Sequence, residues 1–269
     1  MLRKIYYSLP VSLRYYARRL YYLPHDLISK RDKRYPQLGL IFTGHYQFEK
    51  QGIEWVGLFK KYGLTNTANF LDIGCGIGRI AIPLSFDFQG NYFGFDAVKR
   101  GVDWCKKNIS SNNKNFHFLY VDLFNDLYKT SGSNAANYQF EYENDFFDFA
   151  CAISVYTHMI PIELVNYLKN SASVIKSNGI KVATFFILDE ESRVLQEKNS
   201  SFSFKHTFEN FALMDENVAG ANVAYDKGYL EKVIKDSGFE IIEHIKGSWC
   251  GRKKEHFLDF QDILIMRRK

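Results

Sequence analysis

Cysteine is scarce in this chain. Cys75, Cys105, Cys151 and Cys250 are the four among 269 residues, and no two of them form a C-x-x-C pair. Their separations of 30, 46 and 99 residues match neither a zinc site nor a disulfide framework. A reducing, cytoplasmic setting is therefore expected. The seven histidines include no H-E-x-x-H, so no metal site is expected either. Long apolar runs are missing. The most apolar stretch, 146–160, is interrupted by Asp148 and His158 and falls short of a bilayer span. No apolar core follows the first charges, so no signal peptide is expected. Neither an internal repeat nor a low-complexity tract occurs, which sets aside collagen, coiled coil and intrinsic disorder.

What the chain does hold is enough apolar sequence for one large core. Hydrophobic residues make up 46% and charged residues 24%, both ordinary for a globular domain. Aromatics are the surplus, with 24 Phe, 18 Tyr and 3 Trp. The net charge of +5 is unevenly placed. Residues 1–34 carry nine basic side chains against Asp26 and Asp32, a balance of +7, and hold six of the 18 tyrosines. The other 235 residues carry 26 basic and 28 acidic groups, a balance of −2. Residues 1–46 read as a basic, tyrosine-rich arm or lid, and 47–269 as the domain.

Helical signals cover 10–23, with Pro24 as its expected stop, and 47–62, with Gly63 behind it. From residue 69 short apolar strands alternate with helices. Strands are expected at 70–73, 91–95, 116–121, 147–154, 180–188, 239–245 and 258–266. Helices are expected at 79–86, 99–109, 161–175 and 227–237. Residues 189–225 break the rhythm and read as an insertion over one face. Strands separated by helices of this length imply an α/β fold, a mostly parallel sheet with helices on both faces.

The strongest local signal is Asp72-Ile73-Gly74-Cys75-Gly76-Ile77-Gly78-Arg79. Alternate glycines after a strand tolerate positive φ and let a ligand approach the backbone. A dinucleotide turn would place its third glycine one residue later, and Asp72 would repel a pyrophosphate while attracting an ammonium. Asp96 ends the second strand, 18 residues after Gly78, where a carboxylate can accept both ribose hydroxyls. Asp122 ends the third strand, placed to accept from an adenine amino group, although a strand-end Asp also caps turns. An amine, a ribose and an adenine together describe S-adenosylmethionine.

The stretch 71–79, with Asp96 and Asp122, resembles the class I S-adenosylmethionine-dependent methyltransferases, and the likeness runs from about residue 47 to residue 268. Ser154 to Met159, the Gly179 turn, 184–188 and the segment after Gly247 look like a bacterial branch modifying small molecules or glycans. The resemblance implies a Rossmann-like three-layer sandwich, its seven-stranded sheet ending on an antiparallel strand. It implies that Asp72, Gly74, Cys75, Gly76 and Gly78 hold the methionine part and Asp96 the ribose. Ala97 and Leu123 would flank the adenine, Asp122 would meet its amino group, and Ser154 would complete the cofactor side. S-adenosylhomocysteine would be the product.

The acceptor is expected beside Ser154 to His158, because that segment lies near the sulfonium in such folds. His158 is the expected general base for a hydroxyl, with capping or packing of the next helix as its alternative role. Tyr156, His206 and Tyr225 are expected around the acceptor, or in structural roles. No Asn/Asp-Pro-Pro-aromatic motif follows the fourth strand, Cys151 lacks a preceding proline, and no nucleic-acid module is visible. A small molecule or a sugar or glycan precursor is favoured. The competing readings are a non-catalytic cofactor binder and a nicotinamide-dependent oxidoreductase. The arm suits a lid, a peripheral membrane contact through 1–34, or a nucleic-acid anchor. Oligomeric state is not indicated.

Overall fold

A computed structural model of the chain describes residues 11–28, 32–41, 47–123, 132–198, 202–216, 218–255, 258 and 260–269. Seven strands make the main sheet: β1 (Asn69–Ile73), β2 (Asn91–Asp96), β3 (Phe116–Tyr120), β4 (Phe147–Ala152), β5 (Ile175–Phe185), β10 (Phe239–Ile245) and β11 (Asp262–Arg268). Their spatial order is β3-β2-β1-β4-β5-β11-β10. All neighbours run parallel except β11, which is antiparallel to both β5 and β10. The order reverses at β1 and β4, and ligands in open α/β sheets bind at that switch point.

Strand parity explains the two cores. Leu71 and Ile73 face one side of the sheet, packing towards Leu164, Tyr167 and Leu168 of α5 (Pro161–Val174) and Leu230 and Ile234 of α7 (Lys227–Asp236). Phe70 faces the other side, with Trp55 and Phe59 of α2 (Phe48–Lys61) and Val102 of α4 (Lys99–Cys105). A parallel sheet covered on both faces has few polar positions to spare. The aromatic surplus is spent here: Phe70 stacks on Tyr92 and Phe149 at centroid distances of 5.6 and 5.8 Å, and Phe59 reaches Phe149 at 5.4 Å. Each such pair adds about 0.5–1.5 kcal/mol beyond the area it buries.

Several boundaries differ from the sequence reading. The first helix, α1 (Val11–Ile28), runs through Pro24 instead of stopping there, because Asp26 beyond it is tied down: its carboxylate accepts from the Leu38 and Gly39 N–H groups at 2.7 and 3.1 Å. The helix expected at 79–86 shrinks to α3 (Ala81–Leu84), since the glycine turn extends to residue 80. The helix expected at 99–109 becomes α4 followed by a wider-turned stretch, Lys106–Ser110. β5 starts at Ile175, and Asn178 at φ +65° bulges it where Phe147 pairs Ile175 and Phe149 pairs Ile180.

Residues 189–225 supply α6 (Glu190–Lys198) and most of a second sheet of β6 (Ile187–Leu188), β9 (Val223–Asp226), β8 (Phe211–Leu213) and β7 (His206–Thr207). Phe186, Phe204 and Trp249 pack this sheet against the end of the main one. Asp262, fully buried, joins the two by accepting from Ile187 N, Gly247 N and Trp249 Nε1 at 2.9, 2.8 and 2.7 Å.

Candidate active site

The glycine turn leaves β1 at Ile73 with Gly74, Gly76 and Gly78 at φ +74°, +57° and +83°. Side chains rarely adopt that region. Each glycine also answers a different spatial demand. A Cβ on Gly74 would lie 2.4 Å from Val155 Cγ2, so the segment after β4 packs directly on the turn. One on Gly78 would press Cys105 and Ile109 at 3.0 Å. At Gly76 a Cβ would meet nothing within 4 Å, because that side is open.

Backbone donors hold the turn in place. Gly74 N and Cys75 N donate to Phe95 O at 2.9 and 3.1 Å. Gly76 N donates to Asp96 Oδ2 at 2.8 Å and Val98 N to Asp96 Oδ1 at 2.7 Å. One carboxylate at the end of β2 thus clamps both the turn and the start of α4. Burial pushes its pKa up, and the Val98 and Gly76 N–H groups oppose that. A carboxylate oxygen accepts more than one hydrogen bond, so each retains acceptor capacity.

A cavity of about 490 Å³ opens above the turn, between the carboxyl ends of β1, β2 and β4, within the range of small-molecule sites. Gly74, Cys75, Gly76, Asp96, Ala97, Leu123, Ser154 and His158 all line it. Ser154 holds φ +58°, uncommon for a residue with a side chain. Its N–H donates to Thr184 Oγ1 at 2.7 Å and its hydroxyl to Gln261 Oε1 at 3.0 Å. Gly220 O lies 2.7 Å from His158 Nδ1. A carbonyl only accepts, so Nδ1 carries the proton and Nε2 carries the lone pair in the neutral ring.

Six expected site residues lie elsewhere. Asp72 alternates with Ile73 and so points below the turn, where it is 2% exposed. It accepts from the Tyr92 hydroxyl and from Cys151 Sγ, the latter at 3.3 Å. Burial pushes its pKa up to about 6, against the hydrogen bonds of Tyr92 and Cys151 and the Arg79 charge. It supports the turn from beneath, through its bonds with Tyr92 and Cys151. Gly78 faces α4. Asp122 points outward, exposed, between the buried Val121 and Leu123, and accepts from the Tyr120 hydroxyl at 3.1 Å. Tyr156 is fully buried behind the site, stacked on Phe185. Tyr225, also buried, shares its one hydroxyl proton between Tyr156 O at 2.8 Å and Met159 O, pinning the loop that carries His158. His206 lies on β7, where Nδ1 is 3.3 Å from Glu216.

Other lining residues were not anticipated. Arg19 comes from α1 and Leu40 from the segment that follows, so the arm reaches the cavity, and Phe48 comes from the start of α2. Arg100 and Trp104 come from α4, and Glu163 and Tyr167 from α5. Only the unusual charge of the arm could have drawn attention to Arg19 beforehand. Among the described residues no group of His, Cys, Asp or Glu is placed to hold a metal ion.

A family model described as a methyltransferase domain matches residues 45–244. Three solved structures show the same fold. The PH0226 protein of Pyrococcus horikoshii is 18% identical, with a TM-score of 0.58 over 85% of this chain and 93% of that one. Magnesium protoporphyrin IX methyltransferase of Synechocystis, crystallised with bound S-adenosylhomocysteine, is 14% identical, with a TM-score of 0.56 over 100% of this chain and 98% of that one. The [4+2]-cyclase SpnF is 15% identical, with a TM-score of 0.54 over 89% of this chain and 85% of that one. A cyclase among them shows that this fold does not fix the reaction. The domain match, which covers most of the chain, does fix the family: the chain belongs to the methyltransferases, with the class I, S-adenosylmethionine-dependent architecture.

Proposed function

We propose that the chain methylates a hydroxyl or amine of a small molecule or of a sugar or glycan precursor, using S-adenosylmethionine. The residues present fit that cofactor. The open side of Gly76 admits a ligand to backbone distance, Asp96 offers two oxygens to a ribose diol, and Ala97 and Leu123 supply apolar walls. When bound, the cofactor supplies a methyl group activated by its sulfonium charge. The protein's part is to bind, orient and move a proton. Gly74, Cys75 and Gly76 present the turn, Asp96 fixes the ribose end, and Ser154 forms the wall towards β4.

The observation that carries the acceptor reading is the 2.7 Å contact of His158 Nδ1 with the Gly220 carbonyl. With its Nδ1 proton given to Gly220 O, Nε2 is the nitrogen that accepts a proton from an acceptor hydroxyl. Tyr225 fixes the backbone on both sides of this residue, at Tyr156 and Met159. General-base help of this kind is worth about 10²–10⁴-fold.

The test has two parts. Calorimetric titration should show S-adenosylmethionine binding, and panels of hydroxyl and amine acceptors should be screened by release of S-adenosylhomocysteine. With a hydroxyl acceptor, His158→Ala should then cut turnover by about 10²-fold or more and leave cofactor affinity unchanged. Undiminished turnover would remove His158 from the mechanism.

A further inference from the structure

The helix α1 is built inside out. A surface helix normally turns its apolar stripe to the core and its charges to water. Here Arg18 and Asp26 face the protein: the Arg18 guanidinium donates to Ile41 O, and the Asp26 carboxylate caps the Leu38 and Gly39 N–H groups. Arg19, one position on, lines the cavity. The opposite face carries Leu13, Leu20 and Leu27 at 50, 69 and 76% exposure, with Leu23 and Ile28 also exposed. The leucines 13, 20 and 27 repeat every seven residues, so they share one side of the helix, with Ala17 and Pro24 filling in between. Tyr16 and Tyr21, both exposed, border that stripe on its two edges. A lone exposed leucine needs no explanation, but a continuous apolar face does.

We propose that this face docks on an anionic bilayer surface. The charge pattern selects that occupant. Residues 1–34 carry a balance of +7, while the other 235 residues are slightly acidic; Arg18 and Arg19 face the protein and Arg34 pairs with Asp32, so the charge offered to a partner comes from the other basic residues of the segment that carries the apolar stripe. Leucines inserted at the acyl boundary, tyrosines at headgroup level and basic residues near anionic headgroups form the pattern of an interfacial helix. A second copy of the chain is disfavoured, since it would set two segments of +7 against each other. A nucleic acid would engage the charges and rings but leave the leucines in water. Among the described residues no helix is long and apolar enough to cross a membrane, so contact would lie in the plane of the surface. The inward side of the same helix roofs the cavity through Arg19, which places the site directly behind the docked face.

The experiment is flotation of the full chain with phosphatidylglycerol–phosphatidylcholine vesicles and with phosphatidylcholine alone. The chain should float with the anionic vesicles, and binding should fall as salt is raised. Leu20→Glu with Leu27→Glu should lower flotation by about tenfold or more, whereas Val194→Glu, at an exposed apolar position on α6, should not. Thermal melts of each variant confirm folding, and both outward leucines are exposed enough to tolerate the change. Absence of flotation by the native chain overturns the proposal, as does equal flotation by the double variant. So does a lipid-free dimer, seen by sedimentation velocity, that the double variant dissociates. None of these readouts depends on methyl transfer or on the acceptor.

Discussion

The turn at 74–78 and the helix at 11–28 both face the cavity, and they are made in opposite ways. In the turn, the shape is set by backbone: three left-handed glycines, two N–H groups on Phe95 O and two more on Asp96. The one side chain that shapes it is the Asp96 carboxylate. Among the described residues of α1 the contact with the cavity is Arg19, and its leucines face outward. The first region is the part proposed to receive the cofactor. The second is the face proposed to meet an anionic bilayer.

The sharpest way to break this contrast is Asp96→Ala. It removes the carboxylate that clamps the turn to α4 and the acceptor offered to a ribose. Charge-assisted hydrogen bonds are each worth about 1.5–3 kcal/mol, so S-adenosylmethionine affinity should fall about 100-fold or more in a calorimetric titration. Vesicle flotation should be unaffected. If affinity were retained, the turn would not be the receptor.

A paired substitution probes the backbone more finely. Gly74→Ala and Gly76→Ala both impose a Cβ at positive φ, at about 1–2 kcal/mol each. Only the first collides with a neighbour, Val155 Cγ2 at 2.4 Å, whereas the second projects into open space at the cavity. Gly74→Ala should therefore lower the melting temperature more, while Gly76→Ala should lose only that backbone cost in stability and about tenfold in cofactor affinity. The reverse ranking would mean that the open side of Gly76 does not face the ligand.

Legibility in the sequence follows the same division. The alternation of short apolar strands and helices, and the glycines ahead of Arg79, are local patterns, and the sheet order with its antiparallel β11 agrees with the class they resemble. Asp96 was equally readable, and it is at the cavity. Asp72 lies near the end of β1, where strand parity turns it from the side of Ile73, and Asp122 lies two residues beyond β3, exposed between the buried Val121 and Leu123. Tyr225 was assigned near the acceptor from its position after 189–225, and its actual task, two hydrogen bonds to a loop almost 70 residues earlier, depends on packing between distant segments. The orientation of α1 was hidden for a related reason. Its arginines and tyrosines are visible in the sequence, yet which side meets the protein is set by Ile41, Leu38 and Gly39, beyond the helix.

The smallest expected effect concerns the support beneath the turn. Asp72 has its pKa pushed up to about 6, mainly by burial, from an ordinary value of 3.8. Between those two values the folded chain binds a proton that the unfolded chain has released, so stability falls as pH rises through this window. The contribution is whole below about pH 3.8 and lost above about 6. Asp72→Asn keeps an acceptor for the Tyr92 hydroxyl and cannot ionise. The melting temperature of the variant, measured relative to the native chain, should therefore climb from pH 4 to pH 7 by a few degrees and then level off. Cofactor affinity at pH 7 should change little, because the side chain lies below the turn and not at the ligand. A large loss of affinity with a flat stability difference would put Asp72 back among the groups that read the cofactor's charge, and would shift the receptor from backbone to side chain.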